Sequence, residues 1–394
     1  MSAPHPLLAR INPERLARNL VELIGIPSVN PFGAEALTDE MGEAACAAYV
    51  ADRLRALGWT AEVSEYAPRR ANVIATAPSA DHDGRRAVVF AGHLDTVQVD
   101  GYDAPFEGRV ADGRVYGRGA CDMKAAMACY LEVAEVLAEA GQPLAGHLVI
   151  AGVADEEFQQ NGAKAARPNL PPADLVVIGE PTELRLCAAA KGLAAYTLEV
   201  AGQATHGSVP EAGRNAIVAA ASLIAPITEH ATELTERPHA LLGPGTLNIG
   251  VIRGGLKPNI VPSSCEVELS RRLLPGETPA SARDLLQARL ARCACHAPWR
   301  LTDAWWAVDP YENTDDAVVA AFGEAVTVAG GPAPEVTGFP ASSDAAYFGA
   351  PVVIYGPGSL AQAHSLDEWV PISEMEIAAR AYLSFALDRL APQA

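Results

Sequence analysis

Apolar residues recur at helical spacing near the start of the chain. Leu16, Leu20, Leu23 and Ile24 follow Asn12, a predicted helix N-cap with proline directly after it. The same reading predicts helices and strands further on: helices over 38–57 and 124–140, and strands over 72–76, 87–91, 147–153 and 174–178. Several of these strands are apolar almost throughout, which is typical of an α/β sheet covered by helices on both faces.

The middle of the chain has a different period. Leu193–Ala201 and Ser264–Leu273 alternate apolar and polar residues, as antiparallel strands with one face in water do. Helices are predicted at Asn215–Leu234 and Thr278–Cys295, with a strand at Thr246–Ile252 between them. This order of strand, helix, strand, strand and helix predicts a two-layer, ferredoxin-like α+β unit.

The apolar α/β pattern returns after this unit. A helix is predicted from Asp315 to about Ala329, a strand at Val352–Tyr355 and a closing helix at Glu374–Leu390. The α+β unit therefore interrupts the α/β domain. We predict a mixed-sheet α/β domain formed by residues 1–184 and 302–394, with an inserted α+β domain formed by residues 185–301.

Composition and charge exclude several classes of protein. The 394 residues are 49% hydrophobic and 20% charged, an ordinary globular balance. The net charge of −19 would repel nucleic acid and anionic membranes, so we expect neither as a partner. Seven cysteines without a CxxC pair favour reduced thiols. The amino terminus lacks an apolar signal core, and no apolar run is long enough to span a bilayer, so a cytoplasmic protein is expected.

Metal-ligand residue types follow the apolar strands. Four segments that end a strand carry six of these residues, and a fifth segment carries one before a predicted helix: His93 and Asp95, Glu156 and Glu157, Glu180, His364, and Asp122 before the helix. Ligands of an open α/β sheet bind outside the carboxyl ends of its strands, so these side chains can converge although they span more than 270 positions. Imidazole and carboxylate groups without cysteine indicate divalent zinc, with cobalt or manganese possible.

Five ligands suffice for two ions if one carboxylate bridges them. We predict that Asp122 bridges, with His93 and Glu180 on one ion and Glu157 and His364 on the other.

Two further acidic residues are assigned to catalysis. Asp95 is expected to accept the second imidazole N–H of His93 and fix its tautomer. Neighbouring side chains in extended chain point apart, so Glu156 and Glu157 cannot both ligate easily. We assign Glu156 as the general base, taking the proton of a metal-bridging water and passing it to the departing nitrogen.

The chain also resembles a known family. The matching segments are GHLDTV (92–97), GRGACDMK (117–124), ADEE (154–157), GEPT (179–182), THGSVPEAGRNA (205–216), PNIVP (258–262), RLLPG (272–276) and GPGSLAQAHSLDEW (356–369). They are similar, in order, to segments of the dinuclear-zinc deacetylases, desuccinylases, aminoacylases and carboxypeptidases related to acetylornithine deacetylase. The resemblance implies a zinc-peptidase-like catalytic domain, the ligand scheme given above with Glu156 as base, and a cis peptide bond after Asp122.

The resemblance also implies roles for the inserted domain. It implies that this domain mediates homodimerisation and that His206, acting on the partner's site, stabilises the oxyanion of the reaction. Asn259 and Arg272 are implied to reach the substrate, as are Ser342 and Ser343.

Two alanines depart from the family pattern. Ala125 and Ala341 occupy positions where relatives often carry glycine, the second beside the implied substrate segment.

The predicted function is a metal-dependent amidohydrolase that removes an acyl group from an N-acyl amino acid. GPGSLAQAHSLDEW and TLNIGVIRGG are most similar to acetylornithine deacetylases of arginine biosynthesis. Desuccinylase, aminoacylase and dipeptidase or carboxypeptidase activities remain alternatives, as does a non-catalytic binding protein on the same scaffold. GPGSLA resembles a dinucleotide fingerprint, but no amphipathic helix follows it, and a serine-hydrolase GxSxG elbow is absent.

Overall fold

The computed structural model describes residues 4–79, 86–390 and 392. The chain divides into two compact units. The larger unit comprises Met1–Ala188, Glu312–Thr337 and Asp344–Ala394, and the smaller unit comprises Ala189–Tyr311 and Gly338–Ser343. The smaller unit interrupts the larger one.

The described residues form the following helices: α1 Pro13–Ile24, α2 Ala44–Ala56, α3 Lys124–Ala140, α4 Asn161–Ala166, α5 Ala216–Leu234, α6 Pro279–Leu290, α7 Asp316–Val328 and α8 Ile372–Leu390. Short 3₁₀ turns lie at Pro6–Arg10, Arg167–Asn169, Pro210–Ala212 and Asp344–Tyr347. The strands are β1 Thr60–Ala67, β2 Arg70–Thr76, β3 Ala87–His93, β4 Arg109–Ala111, β5 Arg114–Tyr116, β6 His147–Val153, β7 Leu175–Ile178, β8 Leu186–Ala190, β9 Gly192–Ala201, β10 Thr246–Gly254, β11 Ser264–Leu273, β12 Trp299–Val308, β13 Tyr311–Glu312, β14 Val336–Phe339, β15 Val352–Ile354 and β16 Trp369–Pro371.

A mixed sheet forms the centre of the larger unit. Its strands follow the order β1-β2-β6-β3-β7-β15-β8-β13, and β14 also pairs with β8. Strand β3 runs parallel to both β6 and β7, and every residue of β3 is buried. Helices α3 and α8 pack against β3 and against each other. Because β3 and β7 are neighbours, their carboxyl ends open at the same edge of the sheet.

The smaller unit contains an antiparallel sheet in the order β10-β11-β9-β12. One face packs on α5 and α6 through residues such as Leu198, Val267 and Leu223. The chain order β-α-β-β-α-β with this strand order is the predicted ferredoxin-like arrangement. A separate three-stranded sheet, β16-β5-β4, also forms.

Two predicted boundaries are wrong. The inserted domain was predicted to end at residue 301, but β12 crosses that position, because Trp299 and Leu301 complete the core of the smaller sheet. The helix predicted over 38–57 begins at Ala44, because Gly42 adopts a left-handed φ of +95° and Glu43 is engaged by Arg70. Among the described helices, none is long and apolar enough to cross a membrane.

Candidate metal centre

Three of the predicted ligands form one cluster, which we call the strand-end triad: His93, Asp122 and Glu180. His93 ends β3, and Glu180 lies two residues beyond β7, the neighbouring parallel strand. The Nε2 atom of His93 lies 3.0 Å from Asp122 Oδ1 and 4.0 Å from Glu180 Oε2. The potential ligand atoms lie within 4.8 Å of one another.

The remaining two predicted ligands join Asp122 in a second cluster, the loop triad. His364 Nε2 lies 3.4 Å from Asp122 Oδ2 and 3.3 Å from Glu157 Oε2. His364 is about half exposed and lies on the loop between β15 and β16. Asp122 thus turns one carboxylate oxygen towards each histidine. This is the arrangement expected of a carboxylate that bridges two ions.

The electrostatics of the triads show an excess of buried acid. Burial, together with the charge of Asp122, raises the pKa of Glu180 well above its ordinary value, although His93 opposes the shift. Burial likewise raises the pKa of Glu157. Hydrogen bonds to Asp122 and Glu157 raise the pKa of His364 to about 10. Burial opposes ionisation of Asp122, but its contacts with both histidines hold its pKa below the usual range.

These residues fit a pair of divalent cations. Glu157 Oε1 and Glu180 Oε1 are buried and have no hydrogen-bond partner in the described part of the chain. Leaving carboxylate oxygens dry and unpaired is unfavourable unless a cation compensates them. The donors are imidazole nitrogen and carboxylate oxygen without thiolate, a set suited to zinc, cobalt or manganese.

Glu156 lies outside both triads but beside them. Burial and the charge of Glu180 raise its pKa well above the ordinary value, which makes its carboxylate a stronger proton acceptor. Gln160, which is fully buried, donates from Nε2 to Glu156 Oε1 at 3.1 Å. Sequence reasoning did not find Gln160, because a glutamine four residues past an acidic pair has no distinguishing pattern.

Asp95 contacts the site differently from the prediction. The ring Nδ1 of His93 lies 2.9 Å from the backbone oxygen of Asp95 but 3.6 Å from its carboxylate Oδ1. The imidazole N–H is therefore bound by the main chain. The Asp95 carboxylate instead accepts the backbone N–H groups of Glu156 at 3.2 Å and Glu157 at 3.1 Å. It fixes the turn that presents the acidic pair.

A buried polar network supports this turn. Asn30 Nδ2 donates to Asp95 Oδ2 at 2.8 Å and to Asp155 Oδ1 at 3.1 Å. Arg70 Nη2 also donates to Asp155 Oδ1, and its Nε donates to Glu43 Oε2 at 2.7 Å. These partners lie on separate elements far apart in the sequence, so spacing alone did not identify them.

Two residues of the smaller unit that were assigned to the substrate lie together. His206 is exposed, and its Nδ1 lies 2.7 Å from Ser208 Oγ. The neighbouring Gly207 N–H donates to the Asn259 backbone oxygen at 2.8 Å, which ties the two loops. A Cβ atom at Gly207 would lie 3.0 Å from the Asn259 backbone, so any larger residue would push the two loops apart.

The other implied substrate residues occupy the smaller unit as well. Arg272 lies on β11 opposite Thr246, and its charge helps lower the pKa of Lys191, for which burial is the larger cause. Ser342 is half-buried and Ser343 is buried, both in the segment 338–343.

The structure also places the two family departures and the cis bond. Ala125 is fully buried in the first turn of α3, and Ala341 is half-buried. The peptide bond between Asp122 and Met123 is cis, as the resemblance implies.

Comparison with known proteins identifies relatives over most of the chain. The family model described as peptidase family M20/M25/M40 matches residues 89–388. An acetylornithine deacetylase of Myxococcus xanthus is 31% identical over 347 residues, covering 83% of this chain and 87% of its own length. A protein of the same name from Proteus mirabilis (strain HI4320) is 31% identical over 372 residues, covering 90% and 92%.

Solved structures share the fold. A tripeptidase of Staphylococcus aureus matches with a TM-score of 0.77 at 23% identity, covering 95% of this chain and 98% of its own. An M20 family metallo-carboxypeptidase of Sulfolobus solfataricus matches with a TM-score of 0.76 at 20% identity, covering 94% and 98%. At these identities the likeness is one of architecture.

Proposed function

Because this chain belongs to peptidase family M20/M25/M40, we propose that it is an acetylornithine deacetylase-like enzyme that releases the acyl group of N-acyl amino acids. Membership makes it a metal-dependent amidohydrolase. Two relatives bearing the name acetylornithine deacetylase support the finer assignment. One observation carries the proposal most strongly: Asp122 presents one oxygen to each of two histidines in two separate triads.

The strand-end triad and the loop triad would each hold one ion, with Asp122 shared between them. We assign zinc to both positions, with cobalt or manganese as functional substitutes. Bound there, the ions would supply Lewis-acid chemistry that polarises the scissile amide carbonyl and makes water more acidic. The protein's own contribution is to hold the five ligand side chains, four of them buried and His364 about half exposed, in a largely preformed arrangement.

Proton transfer is assigned to Glu156. Its carboxylate takes a proton from the attacking water and delivers it to the departing amide nitrogen. Gln160 restrains the carboxylate through its hydrogen bond to Oε1, and the main chain at Glu156 is held by Asp95. The two adjacent glutamates thus divide their work, with Glu157 in the loop triad and Glu156 as the base.

Substrate contacts are assigned to the smaller unit. We propose that His206 donates to the developing oxyanion and that Asn259 and Arg272 contact the carboxylate end of the substrate. Ser342 and Ser343 are assigned to the same substrate. The exposed position of His206 supports a role completed by another subunit.

A homodimer formed through the smaller unit would supply that subunit. Strand β10 is an edge strand of its sheet, and exposed apolar side chains lie on and near it. Ile252 is 50% exposed, Val218 58% and Leu256 89%. An unpaired edge beside exposed apolar groups favours association with a second copy. All seven cysteines are free, which supports a cytoplasmic location.

A comparison of kcat/KM among substrates tests the deacetylase assignment. Acetate release from N-acetylornithine is compared with hydrolysis of N-succinyl-diaminopimelate, N-acetylmethionine and a dipeptide, using zinc-loaded and chelator-treated enzyme. We expect the highest kcat/KM with N-acetylornithine and no turnover after chelation. A higher kcat/KM for the succinylated substrate or the dipeptide would overturn the deacetylase assignment. Absence of any hydrolysis by metal-loaded protein would favour the binding-protein alternative.

A further inference from the structure

Two candidate ligands lie on loops that are distant in sequence but joined in space. Asp122 lies in the segment 117–123, which connects β5 to α3. His364 lies on the segment 355–368, between β15 and β16. By contrast, His93 and Glu180 lie at or just beyond the ends of neighbouring buried strands that are hydrogen-bonded to each other. The loop triad therefore needs a source of rigidity that the sheet does not directly provide.

Glu368, four residues after His364, supplies a dense set of contacts to the other loop. Its side chain is fully buried. Oε1 accepts the backbone N–H groups of Cys121 at 2.8 Å and Asp122 at 3.0 Å. Oε2 accepts the backbone N–H of Gly119 at 3.0 Å. One carboxylate thus binds three backbone amides of the segment that carries Asp122.

Arg118 completes the arrangement from the same segment. Its Nη1 donates to Glu368 Oε2 at 2.7 Å, and both side chains are almost completely buried. Its Nη2 donates to the Gln98 backbone oxygen at 3.2 Å. The backbone oxygen of Glu368 also accepts the N–H of Gly117 at 3.1 Å. Both carboxylate oxygens of Glu368 are consequently saturated with donors, in a place where water cannot substitute for them.

We propose that Glu368 is a positioning residue that locks the Asp122 segment to the His364 segment and thereby preorganises the loop triad for its ion. The inference rests on the proposed metal-dependent function. Glu368 belongs to neither triad. It acts by fixing the position of the Asp122 backbone relative to the segment that carries His364.

The proposal predicts unequal effects at the two ion positions. In the strand-end triad, His93 and Glu180 stay in place through the pairing of β3 with β7, whatever happens at Glu368. In the loop triad, His364 has no such support, since it is half exposed on a loop. Loss of the Glu368 carboxylate should therefore weaken the ion of the loop triad far more than the other ion.

The test is Glu368→Gln measured by calorimetric titration of chelator-treated protein with Zn²⁺. Glutamine keeps the shape but places an NH₂ group against converging N–H donors. The substitution is made in two backgrounds that each leave one position: His93→Ala retains the loop position, and His364→Ala retains the strand-end position. We expect Zn²⁺ affinity to fall about 10- to 100-fold in the His93→Ala background, the usual effect of losing a residue that orients metal ligands. In the His364→Ala background we expect a clearly smaller fall, because Asp122 is the one ligand of the strand-end triad that Glu368 holds.

A matched control separates positioning from general loss of stability. Glu132 is also a fully buried carboxylate that accepts a backbone N–H, from Asn12, and a guanidinium, from Arg15, but it lies on α3 away from both triads. Glu132→Gln should lower the melting temperature and leave both zinc affinities unchanged. If it weakened zinc binding as much as Glu368→Gln, positioning would be the wrong explanation.

Other results also decide the question. Equal weakening at both positions, or none, would overturn the proposal. If circular dichroism shows that Glu368→Gln does not fold, Arg118→Met replaces it, because it removes one donor and spares the three backbone contacts. A loss that is larger at the loop position than at the strand-end position would then support the proposal, and no loss would overturn it. Failure of the unsubstituted protein to bind zinc would refute the proposed metal-dependent function instead.

Discussion

The larger and smaller units carry their candidate functional residues in contrasting ways. In the larger unit, His93 and Glu180 follow buried neighbouring strands, and Asp122 faces both histidines. In the smaller unit, His206 and Asn259 are exposed on loops. The first arrangement forms a site within one unit. In the second arrangement the side chains are exposed, so the roles proposed for them require contact with a substrate or with a second copy of the chain.

The strongest test of this contrast removes the shared ligand. Asp122→Ala should abolish binding of both ions and with it nearly all hydrolysis, because each triad loses a ligand. His364→Ala should remove one ion only. Elemental analysis of purified variants measures both outcomes. Retention of two ions and full activity by Asp122→Ala would refute the bridging role.

Replacing each of the two adjacent glutamates by glutamine in turn separates proton transfer from metal binding. Glu156→Gln should keep both ions and lower kcat about 10²- to 10⁴-fold, because the proton acceptor is lost. Glu157→Gln should instead weaken zinc binding, since its carboxylate belongs to the loop triad. Steady-state kinetics and zinc titration of both variants provide the measurement. Reversed phenotypes would mean that the assignments within the pair are wrong.

The smaller unit can be tested by complementation. His206→Ala should lower kcat about 10²- to 10³-fold, as expected for loss of an oxyanion donor, with metal content unchanged. Mixing His206→Ala with Glu156→Gln should restore activity if His206 serves the partner's site, because one site of each mixed dimer then has both groups. No recovery despite demonstrated subunit exchange would place His206 outside the partner's reaction.

Metal affinity should depend on pH through the loop triad. The pKa of His364 is raised to about 10 in the metal-free protein by Asp122 and Glu157, so the ring is protonated at neutral pH. An ion must displace that proton, and zinc affinity should therefore rise with pH up to about 10, by about tenfold per unit for each proton released. Titration in buffers of different ionisation enthalpy counts the protons. His364→Ala should reduce the count by one.

The smallest effect on the ion sites is expected from the apolar surface of the smaller unit. Leu256→Glu combined with Ile252→Glu should shift the protein from dimer to monomer, because charge would be buried at the proposed contact. Light scattering coupled to size exclusion measures the mass, and the ion content should not change. Val110→Glu, an equally exposed position on the larger unit, serves as the control. A dimer that survives the double substitution would place the interface elsewhere.

The metal ligands can be predicted from the amino-acid sequence to a greater extent than the contacts that support them. Parallel strands place their carboxyl ends at one edge of a sheet, so the sequence alone predicts that His93 and Glu180 lie close together. The supporting contacts were not readable. Glu368 and Gln160 act through hydrogen bonds to backbone and side chains that depend on loop paths, which no periodicity encodes. The carboxylate of Asp95 was assigned to the wrong partner for the same reason.

The predicted end of the inserted domain and the predicted start of α2 are wrong because tertiary contacts, and not the local apolar pattern, determine them. Strand β12 was missed as part of the inserted unit, because its membership is decided by pairing with β9, about 100 residues earlier. The late start of α2 follows from the contacts of Glu43 with Arg70, which the helical spacing of residues 38–57 does not reveal.

The interruption of the larger unit sets an order for folding during synthesis. The antiparallel sheet of the smaller unit, with helices α5 and α6, lies within one stretch, 192–308, so this sheet can close as soon as that stretch has emerged. The larger sheet must wait, because β15 pairs with β7 across an interval of 176 residues, between Val176 and Val352. His364 arrives later still. Chain order therefore allows the smaller unit's sheet, with the surface proposed to bind a second copy, to form before the candidate ion site is complete.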